Sequence, residues 1–472
     1  MPEPLRLHPD RLFSADPTQR AIARRLYERV ASLPIVSPHG HTDPEWFATN
    51  DPFPDPAQLL ITPDHYVFRM LYSQGVAMED LGVPTVDGTP VETDGRTIWR
   101  LFAKHFPLFR GTPSRMWLDW VFAEAFGIEV KLTPETADHY YDVMDEKLRT
   151  DAFRPRALFD RYQIESLATT EGALDDLAHH KTIKASGWDG RVITTYRPDA
   201  VVDPDYEGFR ENVVTLGELT GQDVGSYAGY LEAHRLRRAF FKEAGGATAT
   251  DHGHPTAFTA DLSRANAEAL YARVTSGGLR PGDAELFRGQ MLTEMARMSL
   301  DDGLTMQIHA GAHRNHNRPV FERFGRDKGA DTPSETEYVS ALKPLLGAVG
   351  NEPGLNILLF TLDEDVYARE LAPLAGHYPA LLLGPPWWFH DSPEGMRRFR
   401  ERTTETAGFY NTAGFNDDTR AFLSIPARHD VARRMDCVWL AQLVAEHRLD
   451  EAEAAEIAPD LAYGLAKKAY KL

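Results

Sequence analysis

The chain has 472 residues, of which 42% are hydrophobic and 26% charged, a composition that excludes the disordered, core-less class. Lys plus Arg number 51 against 70 Asp plus Glu, and the formal net charge of −19 excludes nucleic-acid phosphates or an anionic membrane as partners, since both need a surplus of cations. One cysteine, Cys437, excludes an intramolecular disulfide and a cysteine-based zinc centre. No apolar run approaches the roughly 18–20 residues of a membrane span, and Met1–Asp10 holds no apolar signal core, so the expectation is a soluble cytoplasmic protein.

In chain order, short apolar runs alternate with polar clusters and helical stretches. The runs are 33–38 (LPIVSP), 165–170 (ESLATT), 191–196 (RVITTY), 247–251 (ATATD), 304–309 (LTMQIH), 356–361 (NILLFT), 380–384 (ALLLG) and 409–415 (FYNTAGF). The fourth and eighth are poor strands by propensity, because they lack a β-branched or aliphatic core. Helical stretches are read at 173–186, 223–244, 261–275, 283–302, 336–349, 365–375 and 393–407, with a last helical region at 427–470. Eight strands alternating with helices is the (β/α)8 count. An open doubly wound sheet is the competing architecture, but no Gly-rich phosphate loop follows any run. About 125 residues separate the first two runs, where a connection needs a few tens. Residues 44–160 therefore read as a large, mostly helical insertion with Pro-marked breaks, leaving 1–43 and 161–472 as the barrel. Its aromatics, from Trp46 to Phe126, read first as the core of that insertion. Because it leaves the barrel just after the first run, it should sit over the catalytic end.

In such a barrel, chemistry collects where strands end. Run one ends in His39-Gly40-His41, and two histidines at i and i+2 on an extended segment face one side, where both can reach one ion. With 18 histidines in the chain, chance supplies about 0.7 such pairs, and a second pair, His252 and His254, does occur. Its first reading is hydrogen-bonded or surface histidines. Asp418, after the last run, is brought beside the first strand when the barrel closes; two histidines and one carboxylate leave room for water, as an open catalytic metal site requires. A lone Asp in that place is otherwise a helix cap. Arg197, Arg314 and Arg420 all fall just past strand ends, where arginines can grip a carboxylate or phosphate bidentately, or else pair with local Asp and Glu.

His39-Gly40-His41, Asp64-His65-Tyr66, Tyr196-Arg197-Pro198-Asp199, Asp251-His252, His309 with Arg314 and Asn315, Trp387-Trp388-Phe389 and Asp418-Thr419-Arg420 occur in this order over nearly the whole chain. In this the sequence resembles the uronate isomerases, a family of the amidohydrolase superfamily. The resemblance implies an α/β fold, a distorted (β/α)8 TIM-type barrel with a helical insertion. It implies interconversion of D-glucuronate with D-fructuronate and of D-galacturonate with D-tagaturonate, and a homo-oligomer. His39, His41 and Asp418 match the family's ligands for one divalent metal, usually zinc. Tyr66 matches the tyrosine that reaches into the site from the insertion. Arg197, Asp251, His309, Arg314, Trp387 and Arg420 match further site positions, with His65 adjacent. Three departures matter. Ser37 stands where the family motif often carries Asp. No Lys occurs at 247–254, which favours one metal over two. The sixth strand ends in Thr361-Leu362-Asp363 rather than the histidine of deaminases.

Isomerisation of an aldose to a ketose moves a proton from C2 to C1 through a cis-enediol. Asp251 is a candidate for ring opening, with Asp418 or a metal-proximal histidine. Tyr66 is a candidate C2 base whose phenol is made more acidic by a neighbouring Arg197, with a metal-bound hydroxide as the competing base. His309 and Arg314 would orient hydroxyls and the uronate carboxylate. Two other classes share the residues: a mononuclear metal-dependent hydrolase on the same scaffold, and a non-catalytic sugar-binding protein. An anionic substrate on so acidic a chain would owe its affinity to local arginines rather than to long-range steering.

Overall fold

The computed structural model describes residues 3–472. Seven of the apolar runs form strands: β1 (Ile35–Ser37), β2 (Ile164–Gly172), β3 (Val192–Arg197), β4 (Ala249–His252), β5 (Thr305–Ala310), β6 (Ile357–Thr361) and β7 (Leu381–Leu383). They pair in sequence order and in parallel throughout, as a distorted barrel demands. Every residue of β5 and β6 is buried, the mark of parallel strands covered on both faces. Within β5, Met306, Ile308 and Ala310 join the apolar layer under the outer helices. Gln307 and His309 alternate with them and so face the barrel interior. The weak fourth run is a strand after all, because its neighbours on both sides supply the ladder that propensity does not.

The eighth run is not a strand among the described residues. It is reduced to a single parallel bridge between Leu383 and Thr412, with Leu383 N–H donating to Asn411 O at 2.9 Å and Ala413 N–H to Leu383 O at 2.8 Å. Two residues later Gly414 takes φ +74°, which ends any extended run. The barrel is completed beyond that point by a backbone hydrogen bond from His41 N–H to Thr419 O at 3.0 Å.

Five helices matter for the site or its frame: α1 (Pro17–Val30), α2 (His65–Tyr72), α3 (Tyr227–Gly245), α4 (Pro393–Ala407) and α5 (Ile425–Ala445). Ile22, Leu26 and Val30 of α1 pack on Leu440 and Leu443 of α5, and α3 lies over β3 with Phe241 against Tyr196. The helical reading of 427–470 resolves into α5 followed by Glu451–Pro459 and Leu465–Tyr470, and that of 336–349 begins only at Lys343. Between 44 and 160 the chain is mostly helical. Its Pro-marked breaks are helix starts, with Pro44, Pro56, Pro113 and Pro155 in first turns, where a missing N–H costs nothing. Trp99, Phe102, Phe106, Phe109, Phe122 and Phe126 are fully buried together. Tyr66 and Trp117 depart from that cluster and pack with Met396, Phe415 and Ala427 instead. No helix among the described residues is long and apolar enough to cross a membrane.

The helix Leu465–Tyr470 latches the barrel from within. Ala469 O accepts from Thr305 Oγ1 at 2.7 Å and from Asn356 Nδ2 at 2.9 Å. The buried Tyr470 hydroxyl accepts from Asn416 Nδ2 at 3.0 Å and donates to Gln307 Oε1 at 2.8 Å. Tyr470→Phe strands the Gln307 and Asn416 amides in a dry interior. It should lower stability by about 1–3 kcal/mol in urea unfolding, the usual cost of a buried polar group that loses its partner.

Candidate active site

The C-terminal ends of the strands and α2 converge on one cleft. All eleven residues singled out from the sequence line it: His39, His41, His65, Tyr66, Arg197, Asp251, His309, Arg314, Trp387, Asp418 and Arg420. The remaining walls come from Asp327, Pro386, Trp388, Asp391, Asn416 and Asp417. Asp64 caps α2 by accepting from Tyr66 N–H at 2.8 Å, and this aims the first turn, with His65 and Tyr66, at the barrel mouth.

At the cleft floor, Asp418 Oδ1 lies 3.2 Å from His41 Nε2 and 3.5 Å from His39 Nε2. Asp418 adopts φ +40°, a left-handed conformation that turns its carboxylate back toward β1. The Gln307 amide sits 3.3 Å from His39 Nδ1, so Nε2 is the atom left for Asp418. Burial depresses the His39 pKa to about 4, so its imidazole is neutral at pH 7, as a metal ligand must be. Burial works against the Asp418 carboxylate, but His39 and His41 outweigh it and hold Asp418 ionised. His39, His309 and Asp418 each offer a ligand atom within 4.8 Å of the others. His309 Nε2 and Asp418 Oδ1 are buried without a hydrogen-bond partner among the described residues. Neutral imidazoles, an ionised carboxylate and orphaned buried lone pairs form a donor set that suits a divalent cation.

One strand over, His309 Nδ1 donates to Asp251 Oδ1 at 2.6 Å, and Arg197 Nη1 lies 3.4 Å from Asp251 Oδ2. Burial alone would raise the Asp251 pKa; Arg197 and His309 reverse this and hold it well below the usual carboxylate range. The His309 ring is fixed between His39 and Phe360, with centroids 4.9 and 4.0 Å away and both pairs stacked, and Trp387 closes its edge at 4.7 Å.

Each rim arginine has a carboxylate partner: Arg197 with Asp199 at 2.8 Å, Arg314 with Asp331 at 2.9 Å and Arg420 with Asp327 at 3.0 Å. The salt-bridge reading of these arginines is the one observed, and the paired side chains line the cleft. One expectation is corrected. Arg197 does not stand beside the Tyr66 hydroxyl, which donates instead to Asp391 Oδ2 at 2.9 Å. Burial and then Asp391 push the Tyr66 pKa well above its ordinary value, opposite to the expected lowering. The second histidine pair is packing. His252 and His254 are buried outside the cleft, and His252 bonds Thr250 Oγ1 at 3.0 Å.

Asp391, Arg428 and Gln307 were not singled out from the sequence. Asp391 precedes the Ser392 cap of α4 and reads as turn polarity, and Arg428 within α5 reads as a surface charge. Only the fold shows that Arg428 is buried.

A parallel barrel with histidines, carboxylates and arginines gathered at its C-terminal rim is an enzyme scaffold of the amidohydrolase type. A model of the glucuronate isomerase family matches residues 15–470, and the chain belongs to this family and is an isomerase. It is 68% identical over 469 residues to the uronate isomerase of Rhizorhabdus wittichii, covering 99% of each chain. The crystal structure of glucuronate isomerase from Caulobacter crescentus superposes with a TM-score of 0.97 at 63% identity, covering 99% of this chain and 98% of that one. The uronate isomerase from Thermotoga maritima gives 0.91 at 28% identity, covering 98% and 99%. The hydrolase and sugar-binding alternatives are not favoured by these matches.

Glu171, at the end of β2, does not line the cleft. It turns to Thr169 Oγ1 at 2.8 Å and to Thr194, and burial raises its pKa to about 7 despite these hydrogen bonds. A folded-state pKa above the unfolded one favours the neutral acid, so stability is highest at low pH and falls as pH rises through 7. Glu171→Gln should therefore match the wild type below pH 4.5 and exceed it by about 1–3 kcal/mol at pH 8, measured by urea unfolding across pH.

Proposed function

We propose that the chain interconverts aldohexuronates and ketohexuronates, D-glucuronate with D-fructuronate and D-galacturonate with D-tagaturonate. One observation carries the reading. A single cleft joins proton-transfer groups (Asp251 with His309, and Tyr66) to a rim of three arginines. The rim suits a carboxylate, which guanidinium groups bind bidentately, and the interior suits the hydroxyls and carbonyl of an open-chain sugar. Arg314 and Arg420 hold the uronate carboxylate, and His65 and Trp387 wall the sugar. Asp251, kept ionised and paired to His309, takes and returns the hydroxyl proton during ring opening, with Asp418 beside it. Tyr66 faces C2, whose proton moves to C1 through the enediol.

The histidine–carboxylate cluster is proposed to hold one divalent metal, zinc being the first candidate, through His39, His41 and Asp418. When bound, such an ion polarises a substrate oxygen as a Lewis acid. His39, His309 and Asp418 are the set whose ligand atoms lie within 4.8 Å of one another; the proposal puts His41, 3.2 Å from Asp418, in the third place on the family resemblance, with His309 competing for it. The His39 and His41 rings meet at 80°, so their in-plane lone pairs can converge on one point. The His309 ring lies nearly parallel to that of His39, at 22°, and its Nδ1 bond to Asp251 leaves Nε2 free for the same ion. The chain is further proposed to act as a homo-oligomer, on the family resemblance alone, and in the cytoplasm, where a lone reduced cysteine needs no oxidising compartment.

Proton NMR of D-glucuronate with the protein in D2O should show ketose signals and deuterium entering C1. Failure of both removes the reading. Turnover that survives exhaustive chelation would remove the metal's part in it. Metal analysis of purified variants settles the ligand choice: His41→Asn should lose metal about 10–100-fold more readily than His309→Asn, and the reverse order would exchange the two roles.

A further inference from the structure

Behind Tyr66 lies a buried group that nothing above uses. Asp391 Oδ2 accepts from the Tyr66 hydroxyl at 2.9 Å and from Arg428 Nη1 at 2.9 Å. These three side chains come from α2, the loop after β7 and α5. Arg428 is fixed on its other sides. Its guanidinium carbon lies 3.6 Å over the Trp117 ring, Nε donates to Ser424 Oγ at 3.2 Å, and Nη1 also reaches Asp417 O at 3.3 Å. Asp391 Oδ1 is buried with no hydrogen-bond partner among the described residues, so the carboxylate keeps unused proton-accepting capacity. Trp388 covers the opposite side of Tyr66, with ring centroids 5.8 Å apart.

A neutral phenol is a poor base for a carbon acid, and the surroundings of Tyr66 disfavour tyrosinate. The phenol can take the C2 proton only if its own proton leaves in the same step, and one carboxylate is in place to receive it. Asp251 and Asp418 are engaged elsewhere, with Arg197 and His309 in the first case and His39 and His41 in the second.

We propose that Asp391 is the proton acceptor behind Tyr66, acting on the substrate through that phenol as the second member of a Tyr66–Asp391 base dyad. The inference rests on the isomerase reading above. In the forward step the C2–H bond breaks and its proton goes to Tyr66 Oη as the Tyr66 proton passes to Asp391 Oδ2. The C2–H electron pair becomes the C1–C2 double bond, and the carbonyl pair moves to O1. The O2 proton then passes to O1, and the pair left on O2 forms the ketose carbonyl. The C1–C2 pair meanwhile takes a proton from Tyr66, which recovers its own from Asp391. No other reactant is consumed. Burial raises the Asp391 pKa, which suits a proton acceptor; Arg428 opposes that rise and fixes which oxygen faces the phenol.

The test uses the metal-loaded full-length enzyme in D2O. Asp391→Asn retains a carbonyl oxygen for Tyr66 and Arg428 but cannot take up the proton. It should lower kcat and deuterium entry at C1 by about 100-fold or more, with KM within about three-fold and metal content unchanged. Tyr66→Phe should lose as much, and the double variant no more than either single one, as expected of residues that act as a unit. Exchange in Asp391→Asn within about three-fold of wild type, or a double loss equal to the product of the two singles, overturns the proposal. If Asp391→Asn does not fold, the wild type decides. With C2-deuterated substrate, a solvent isotope effect must remain on the C–H cleavage step, and its absence overturns the proposal. Wild type that fails to isomerise removes the function itself, whereas wild-type turnover with an unimpaired Asp391→Asn removes only the dyad.

Discussion

The site depends on one backbone hydrogen bond, from His41 N–H to Thr419 O. The last run of the barrel stops at a single bridge, because Asn411 and Gly414 are poor strand formers and Gly414 takes a left-handed backbone. The circle of parallel strands would stay open between β7 and β1 were it not bridged past the strand ends, at the level of the catalytic rim. The residues that bridge it are His41 itself and Thr419, the neighbour of Asp418. Closing the barrel and assembling the histidine–carboxylate cluster are therefore one event. The left-handed backbone at Asp418 is the local strain this closure tolerates.

Around that closure the protein buries charge, and each buried charge is matched. Arg428 sits among Asp391, the Asp417 carbonyl, Ser424 and the face of Trp117. Asp251 sits between Arg197 and His309. Removing such groups from water costs several kcal/mol each, and only close, hydrogen-bonded partners offset it. The arrangement is thus weak evidence for stability and stronger evidence for preorganisation. Groups that must hold or pass protons are fixed before the substrate arrives, so little reorientation remains for the reaction step. The column Asn416–Tyr470–Gln307–His39 extends the same logic down the barrel axis.

What the sequence discloses divides along physical lines. The strands were legible because parallel strands buried on both faces must be apolar runs, and seven of eight ended within a few residues of their reading. Site residues at strand ends were legible for the same reason, since the strands aim them. His252 and His254 show the limit: their spacing equals that of His39 and His41, and only the strand's facing separates packing from the cleft. Asp391 and Arg428 escaped because nothing local marks a charge as buried; burial is made by Trp117 and Tyr66, hundreds of residues away in sequence. The pairing of Tyr66 with Arg197 failed for a related reason. Family order places residues at a site, but not which neighbour each one touches.

The net charge of −19 sharpens what the rim arginines do. At physiological ionic strength fields fade over about 8 Å, so the protein as a whole neither draws in nor strongly repels a uronate. In the proposed function capture falls to Arg314 and Arg420, which are paired with Asp331 and Asp327. Such pairing weakens the raw attraction for an anion, yet it fixes each guanidinium in place, so less side-chain entropy is lost on binding. Beside Asp327 the rim also carries the opposite sign, which disfavours a substrate with a second anionic group. Under the proposed function this rim is built for one carboxylate in one place, with the polyol end toward the proton-transfer groups below.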